Sequence, residues 1–88
     1  LEWMTWIEKQ LILLNLNFQK SVTNFVLIKF PNQVKYSAYN AEKFLAKRGI
    51  LVRGMAVYNL KNYLSVSIGT EKENIKLINE LKIFLEKK

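Results

Sequence analysis

With 88 residues, half of them hydrophobic and 12% aromatic, the chain suits a single domain, 1–88, with one core. It has no cysteine and no histidine. That excludes disulfides, thiolate chemistry, zinc sites built on Cys or His, and any mechanism that draws an imidazole base from this chain. The net charge is +7, yet the basic residues are spread from Lys9 to Lys88 and only Arg48 and Arg53 are arginines, so a solvated lysine-biased surface is expected rather than a nucleic-acid partner.

No apolar run approaches the roughly 18 residues of a membrane span, so no membrane partner is expected. The absence of cysteine fits a reducing compartment. The chain opens at Leu1 rather than Met and shows no signal-peptide pattern, so it reads as a piece of something longer.

Residues 2–15 are predicted helical. Trp3, Trp6, Ile7, Leu11 and Leu14 recur at spacings of three and four, which makes one apolar face. Residues 18–21 read as a connector. The run NFVLIKF, 24–30, is a strand that alternates Phe25, Leu27 and Lys29 against Val26, Ile28 and Phe30, and Pro31-Asn32 ends it. Residues 32–38 are polar connector, with Ser37 placed as an N-cap. Residues 39–49 form a short helix whose apolar face is Ala41, Phe44 and Leu45. Lys47 and Arg48 suit its C-terminal dipole, and Gly49 supplies a left-handed stop.

Ile50, Leu51 and Val52 then read as a buried strand that ends at Arg53. Residues 56–62 are a turn in which Asn59 and Asn62 tolerate left-handed geometry. YLSVSIG, 63–69, alternates Leu64, Val66 and Ile68 against Tyr63, Ser65 and Ser67. Thr70 and Glu73 have the spacing of a capping box, which opens a last helix striped by Leu77, Ile78, Leu81, Phe84 and Leu85. The expected fold is α+β, in the order α-β-α-β-β-α: a small, mostly antiparallel three-stranded sheet covered by helices.

No self-contained active site is visible. Three glycines cannot make a phosphate cradle. All seven acids are glutamates on predicted helices or at a cap, where surface charge is the simplest reading. An RNA-binding sheet would need alternating aromatics that these strands lack. Three features remain: Arg53 at a strand end, Ser65 and Ser67 on one face of the neighbouring strand, and Asn24 opening the first. Singly, each also reads as ordinary structure: an arginine snorkelling to water, solvent-facing serines and a turn cap.

Taken in order, the pieces resemble a family. Ser21-Val22-Thr23-Asn24-Phe25 matches a Ser-x-x-Asn-Phe strand start. Leu45 to Arg53 matches Leu-x-x-(Arg/Lys)-Gly-(Ile/Val)-(Ile/Leu)-(Val/Leu)-Arg. Tyr58-Asn59-Leu60 is similar to a Tyr-Gly-Leu turn. Leu64 to Asn74 follows Leu-Arg-(Ile/Val)-(Ser/Thr)-(Ile/Val)-Gly-Thr-x-x-Glu-Asn. This run resembles the C-terminal small domain of pyridoxal-phosphate-dependent aminotransferases, most of all histidinol-phosphate aminotransferase.

The resemblance implies a domain of a larger cytoplasmic, homodimeric enzyme that closes over a small anionic amino-acid or amino-phosphate substrate. By motif, Arg53 is the first of two arginines that bind the substrate's anion. Ser65 stands where the second is expected and brings a hydrogen bond without charge. Asn59 replaces the turn's glycine. The pyridoxal phosphate, its Schiff-base lysine and its phosphate site would belong to a large domain that these residues do not include, so the chain alone is expected to be inactive. The other reading is a free-standing α+β module that binds a small ligand or partner without catalysis.

Overall fold

A computed structural model describes residues 2–20 and 24–87. The Ser21, Val22 and Thr23 positions of the first motif lie outside the described residues. Helix α1 spans Trp3–Leu13, strand β1 Asn17–Lys20, β2 Phe25–Lys29, helix α2 Ala38–Lys47, β3 Arg53–Gly54, β4 Tyr63–Ser67 and helix α3 Glu71–Phe84. Short 3-10 turns at Val34–Tyr36 and Ala56–Tyr58 precede α2 and β4. The strands form one antiparallel sheet in the order β1-β2-β4-β3.

The sheet has four strands, not three. The additional one is β1, at residues expected to be a connector. Asn17, Gln19 and Lys20 have weak strand preference. They become a strand because Asn17 to Lys20 pair with Lys29 to Val26 of β2. Long-range pairing overrides local propensity at this edge.

Alternation divides the sheet into two unlike faces. Val26 and Ile28 of β2 and Leu64 and Val66 of β4 point inward and are buried. Ile7 and Leu11 from α1, Ala41 and Leu45 from α2, and Leu77, Ile78 and Leu81 from α3 complete one core with them. All three helices thus serve a single face of the sheet. Trp3 and Trp6 pack edge to face at the rim of this layer, their ring centroids 5.2 Å apart.

The helices begin and end on strong local signals. The Thr70 side chain accepts from the Glu73 N–H, and the Glu73 carboxylate accepts from the Thr70 N–H, which closes the capping box. Ser37 caps α2 by accepting from the Asn40 N–H. Each helix stops the same way, with a left-handed residue after its cap: Asn15, Gly49 and Glu86. After α2, the Ile50 N–H reaches the Leu45 carbonyl at 2.9 Å and the Gly49 N–H reaches Ala46 at 3.1 Å. After α1, Leu16 and Asn15 bond in the same pattern to Leu11 and Ile12. These paired bonds satisfy carbonyls that a helix end otherwise leaves open.

The buried strand expected at Ile50–Val52 is corrected by the structure. Leu51 is 89% exposed, and pairing begins only at Arg53. The helix stop takes up Ile50, so the chain is still turning away from α2 across the residues that look most strand-like. Of the two asparagines that tolerate left-handed geometry, Asn59 takes it, with φ 62°, and Asn62 does not. Its side chain is a bracket. The amide donates to the carbonyls of Phe30 and Pro31, and its oxygen accepts from the Ala38 N–H at 2.9 Å.

Candidate functional site

The uncovered face of the sheet is built by the residues that alternate with the core. Antiparallel register sets Gln19, Leu27, Ser65 and Arg53 in one row across all four strands. Cross-strand partners share a face, so Arg53 and Ser65 are neighbours on the side away from the helices. Phe25 and Ser67 form the adjacent row, and Lys29 and Tyr63 flank the other side.

Arg53 reaches this position because α2 is stopped at Gly49 and the chain then runs three residues to the edge of β4. At Gly54, the next residue, an added Cβ would lie 2.8 Å from Oε1 of Glu42 on α2, the far end of a flexible side chain that a small rotation moves aside. The chain next folds through the 3-10 turn at Ala56–Tyr58. Asn59 takes the left-handed position in place of glycine, and the Leu60 N–H bonds back to the Met55 carbonyl. This fold-back sets Tyr58 beside Arg53.

The result is a shallow depression of about 430 Å³. Its polar residues are Arg53, Tyr58, Ser65 and Ser67, and its apolar ones are Phe25, Leu51, Val52 and Met55. Neither a carboxylate nor a lysine lines it. Arg53 and Ser65, singled out from the sequence, are therefore brought together, and Ser67 joins them. Asn24 is not part of this group. Its carbonyl accepts from the Ile68 N–H at 2.7 Å, which is ordinary structure.

The two arginines have opposite surroundings. Arg48 lies 3.0 Å from Glu80 and stacks over the Phe44 ring at 4.4 Å. Glu80 is only 9% exposed, which corrects the expectation that every glutamate is surface charge. Its place on α3 turns it toward the end of α2, and Arg48 supplies the partner a buried carboxylate requires. The other ion pair among the described residues joins Lys35 and Glu86. Arg53 is exposed and pairs with no described carboxylate, so its donors are open to an outside anion.

The ends of the site are held by two asparagines, Asn62, read from the sequence only as a turn residue, and Asn74, read only as the end of a motif. Asn62 ties the start of β4 to the end of β2 and to the first turn of α2. Asn74, 1% exposed, accepts from the Gly69 N–H and donates to the Gly69 carbonyl, which fixes the passage from β4 into α3. Among the described residues no buried side-chain polar atom lacks a partner, and no cluster of acids could hold a metal ion. Every described lysine is exposed. A lysine that holds a carbonyl cofactor is usually shielded and its amine made less basic, so the described residues do not make a pyridoxal phosphate site.

No family model matches the chain. A histidinol-phosphate aminotransferase of Paramagnetospirillum magneticum is 41% identical over 83 residues, which cover 94% of this chain and 23% of that protein. One of Nitrobacter hamburgensis is 38% identical over 87 residues, 99% of this chain and 24% of that protein. A solved structure from Burkholderia pseudomallei, provisionally described as an aminotransferase, superposes with a TM-score of 0.81 at 25% identity and covers 94% of this chain and 24% of that one. The fold is shared, at a TM-score of 0.71 and 22% identity, with L-threonine-O-3-phosphate decarboxylase from Porphyromonas gingivalis, over 97% of this chain and 27% of that one. The chain thus spans about a quarter of the length of the curated relatives it matches. Over nearly its whole length it is similar in sequence to one segment of histidinol-phosphate aminotransferases, as its ordered motifs imply, and in fold to one segment of a structure described as an aminotransferase.

Proposed function

We propose that these residues are the C-terminal small domain of a pyridoxal-phosphate-dependent aminotransferase, and that Arg53 binds the anionic end of its substrate. The observation that carries this reading is the pairing of Arg53 with Ser65 on the uncovered sheet face, with no described carboxylate at Arg53. A guanidinium in that state makes a bidentate, charge-assisted clamp on a carboxylate or phosphate. The helices on the other face hold the strands rigid and so fix where the clamp points. The domain also closes over the site and sheds water from it.

The cofactor would be held by the remainder of a longer chain, where it supplies the electron sink for amino-group transfer. The parent enzyme works as a cytoplasmic homodimer on this reading, and the 88 residues alone catalyse nothing. The resemblance to the aminotransferases supports both statements.

Ser65 favours a second reading. It removes a charge at the position where the family motif has arginine, which suits a module that binds a small ligand without catalysis. The visible spectrum of the full-length gene product, purified with pyridoxal phosphate, separates the two. The first reading expects a bound-cofactor band that borohydride abolishes. Soluble, folded protein without that band would contradict it and favour the binding module.

A further inference from the structure

We infer that the depression on the uncovered sheet face selects a monoanion joined to an apolar body, and that Ser65 sets this choice against dianions. The inference rests on the reading above, in which this face meets the substrate. The depression holds one formal charge, on Arg53. Ser65, Ser67 and Tyr58 add hydroxyl donors that bring no charge. Lys29 is on the same face but pairs with Tyr63 and lies outside the lining.

Phe25 and Leu51 give the depression apolar walls. One guanidinium neutralises one carboxylate through two parallel hydrogen bonds. A phosphate monoester carries a charge of about −1.5 to −2 near neutral pH. Against the same single arginine it keeps an unpaired negative charge, which must be desolvated beside those walls. Arginine in place of Ser65 would stand directly across from Arg53 in the register and supply the missing charge.

The test uses the full-length gene product loaded with pyridoxal phosphate, and two probes with the same apolar body: 3-phenylpropionate and phenethyl phosphate. Calorimetry on the wild type should show the carboxylate bound at least about tenfold more tightly, and Arg53→Ala should weaken it about tenfold or more. Ser65→Arg should narrow or invert the preference. Equal or tighter binding of the phosphate by the wild type overturns the inference, and so does failure to bind either probe. An unchanged ratio in a Ser65→Arg protein that keeps its cofactor band also overturns it. If that variant does not fold, the wild-type ratio decides alone. The cofactor band separates the two levels of the argument. A band with phosphate preferred removes this inference and leaves the aminotransferase reading, whereas carboxylate preference without a band keeps the site and removes the enzyme.

Discussion

The two faces of the sheet are made by the same strands and differ in nearly everything else. On β2 and β4 the inward residues Val26, Ile28, Leu64 and Val66 are buried under three helices. One residue along, Leu27 and Ser65 face outward, in register with Arg53. The inward face is interchangeable in kind, since any well-packed aliphatic set would hold it. The outward face is specific, because only an arginine at the register position opposite Ser65 gives this depression a cation. Period-two alternation lets one short strand fill the core with one set of side chains and present the proposed site with the other.

Large-to-small substitutions sharpen that contrast most. Ile28→Ala should destabilise the chain by about 2–5 kcal/mol, because it leaves a cavity under the helices. Leu27→Ala, its neighbour on the open face, should cost about 1 kcal/mol or less. Urea unfolding followed through Trp3 and Trp6 fluorescence measures both. Comparable losses would mean that the uncovered face is also structural.

The Asn62 bracket should come next. Asn62→Ala strips partners from the Ala38 N–H and from the Phe30 and Pro31 carbonyls. A loss of about 2–3 kcal/mol is expected, since each unsatisfied group costs on the order of 1 kcal/mol or more. A loss below about half that would show water replacing the bracket.

The arginines test the comparison from another side. Arg48→Ala leaves Glu80 buried without its partner. It should cost about 1–2 kcal/mol, less than the roughly 3–5 kcal/mol of a fully buried pair, because the Arg48 side chain is 43% exposed. Arg53→Ala should change stability by less than about 0.5 kcal/mol. The reverse order in urea would contradict the division of labour between them.

The smallest effects should follow pH. The Lys35 ammonium beside Glu86, with the Tyr36 hydroxyl, holds that carboxyl below its ordinary 4.5, and the Thr70 N–H does the same for Glu73. Their stabilisation is fully present above the unfolded carboxylate value and is lost as pH falls through the lowered folded values. Glu86 in turn raises Lys35 above 10.5 and Tyr36 above 10.0. That part is fully present below those unfolded values and is lost as pH rises through the folded ones. All of these groups are exposed, so the slopes should be shallow. Glu86→Gln should flatten the urea midpoint at both ends of the pH range. An unaltered profile would remove the triad from the account.

Much of this molecule was legible before its coordinates. The alternation in β2 and β4, the capping box at Thr70 and the left-handed stop at Gly49 depend on residues close in sequence, and each stands as read. β1 was missed because its strand character comes from β2 and not from its own residues. Ile50–Val52 misled because a helix stop and a strand compete for the same backbone groups, and the stop won at Ile50. The bonds of Glu80 and Asn62 were not legible because their partners, Arg48 for one and Phe30 and Ala38 for the other, lie far off in the sequence, whereas Asn74 closes a motif that holds its partner Gly69 without showing that the side chain is buried there. Arg53 and Ser65 were picked out by motif. Their pairing in one row became visible only with the register.

The central claim is that Arg53 binds a substrate anion. The most direct measurement is kcat/KM of the full-length gene product and of its Arg53→Ala variant for an anionic amino donor, with cofactor content held equal. The account predicts a loss of about tens-fold or more, partly restored by Arg53→Lys. An unchanged kcat/KM in Arg53→Ala would contradict it and return Arg53 to a strand end that merely reaches water.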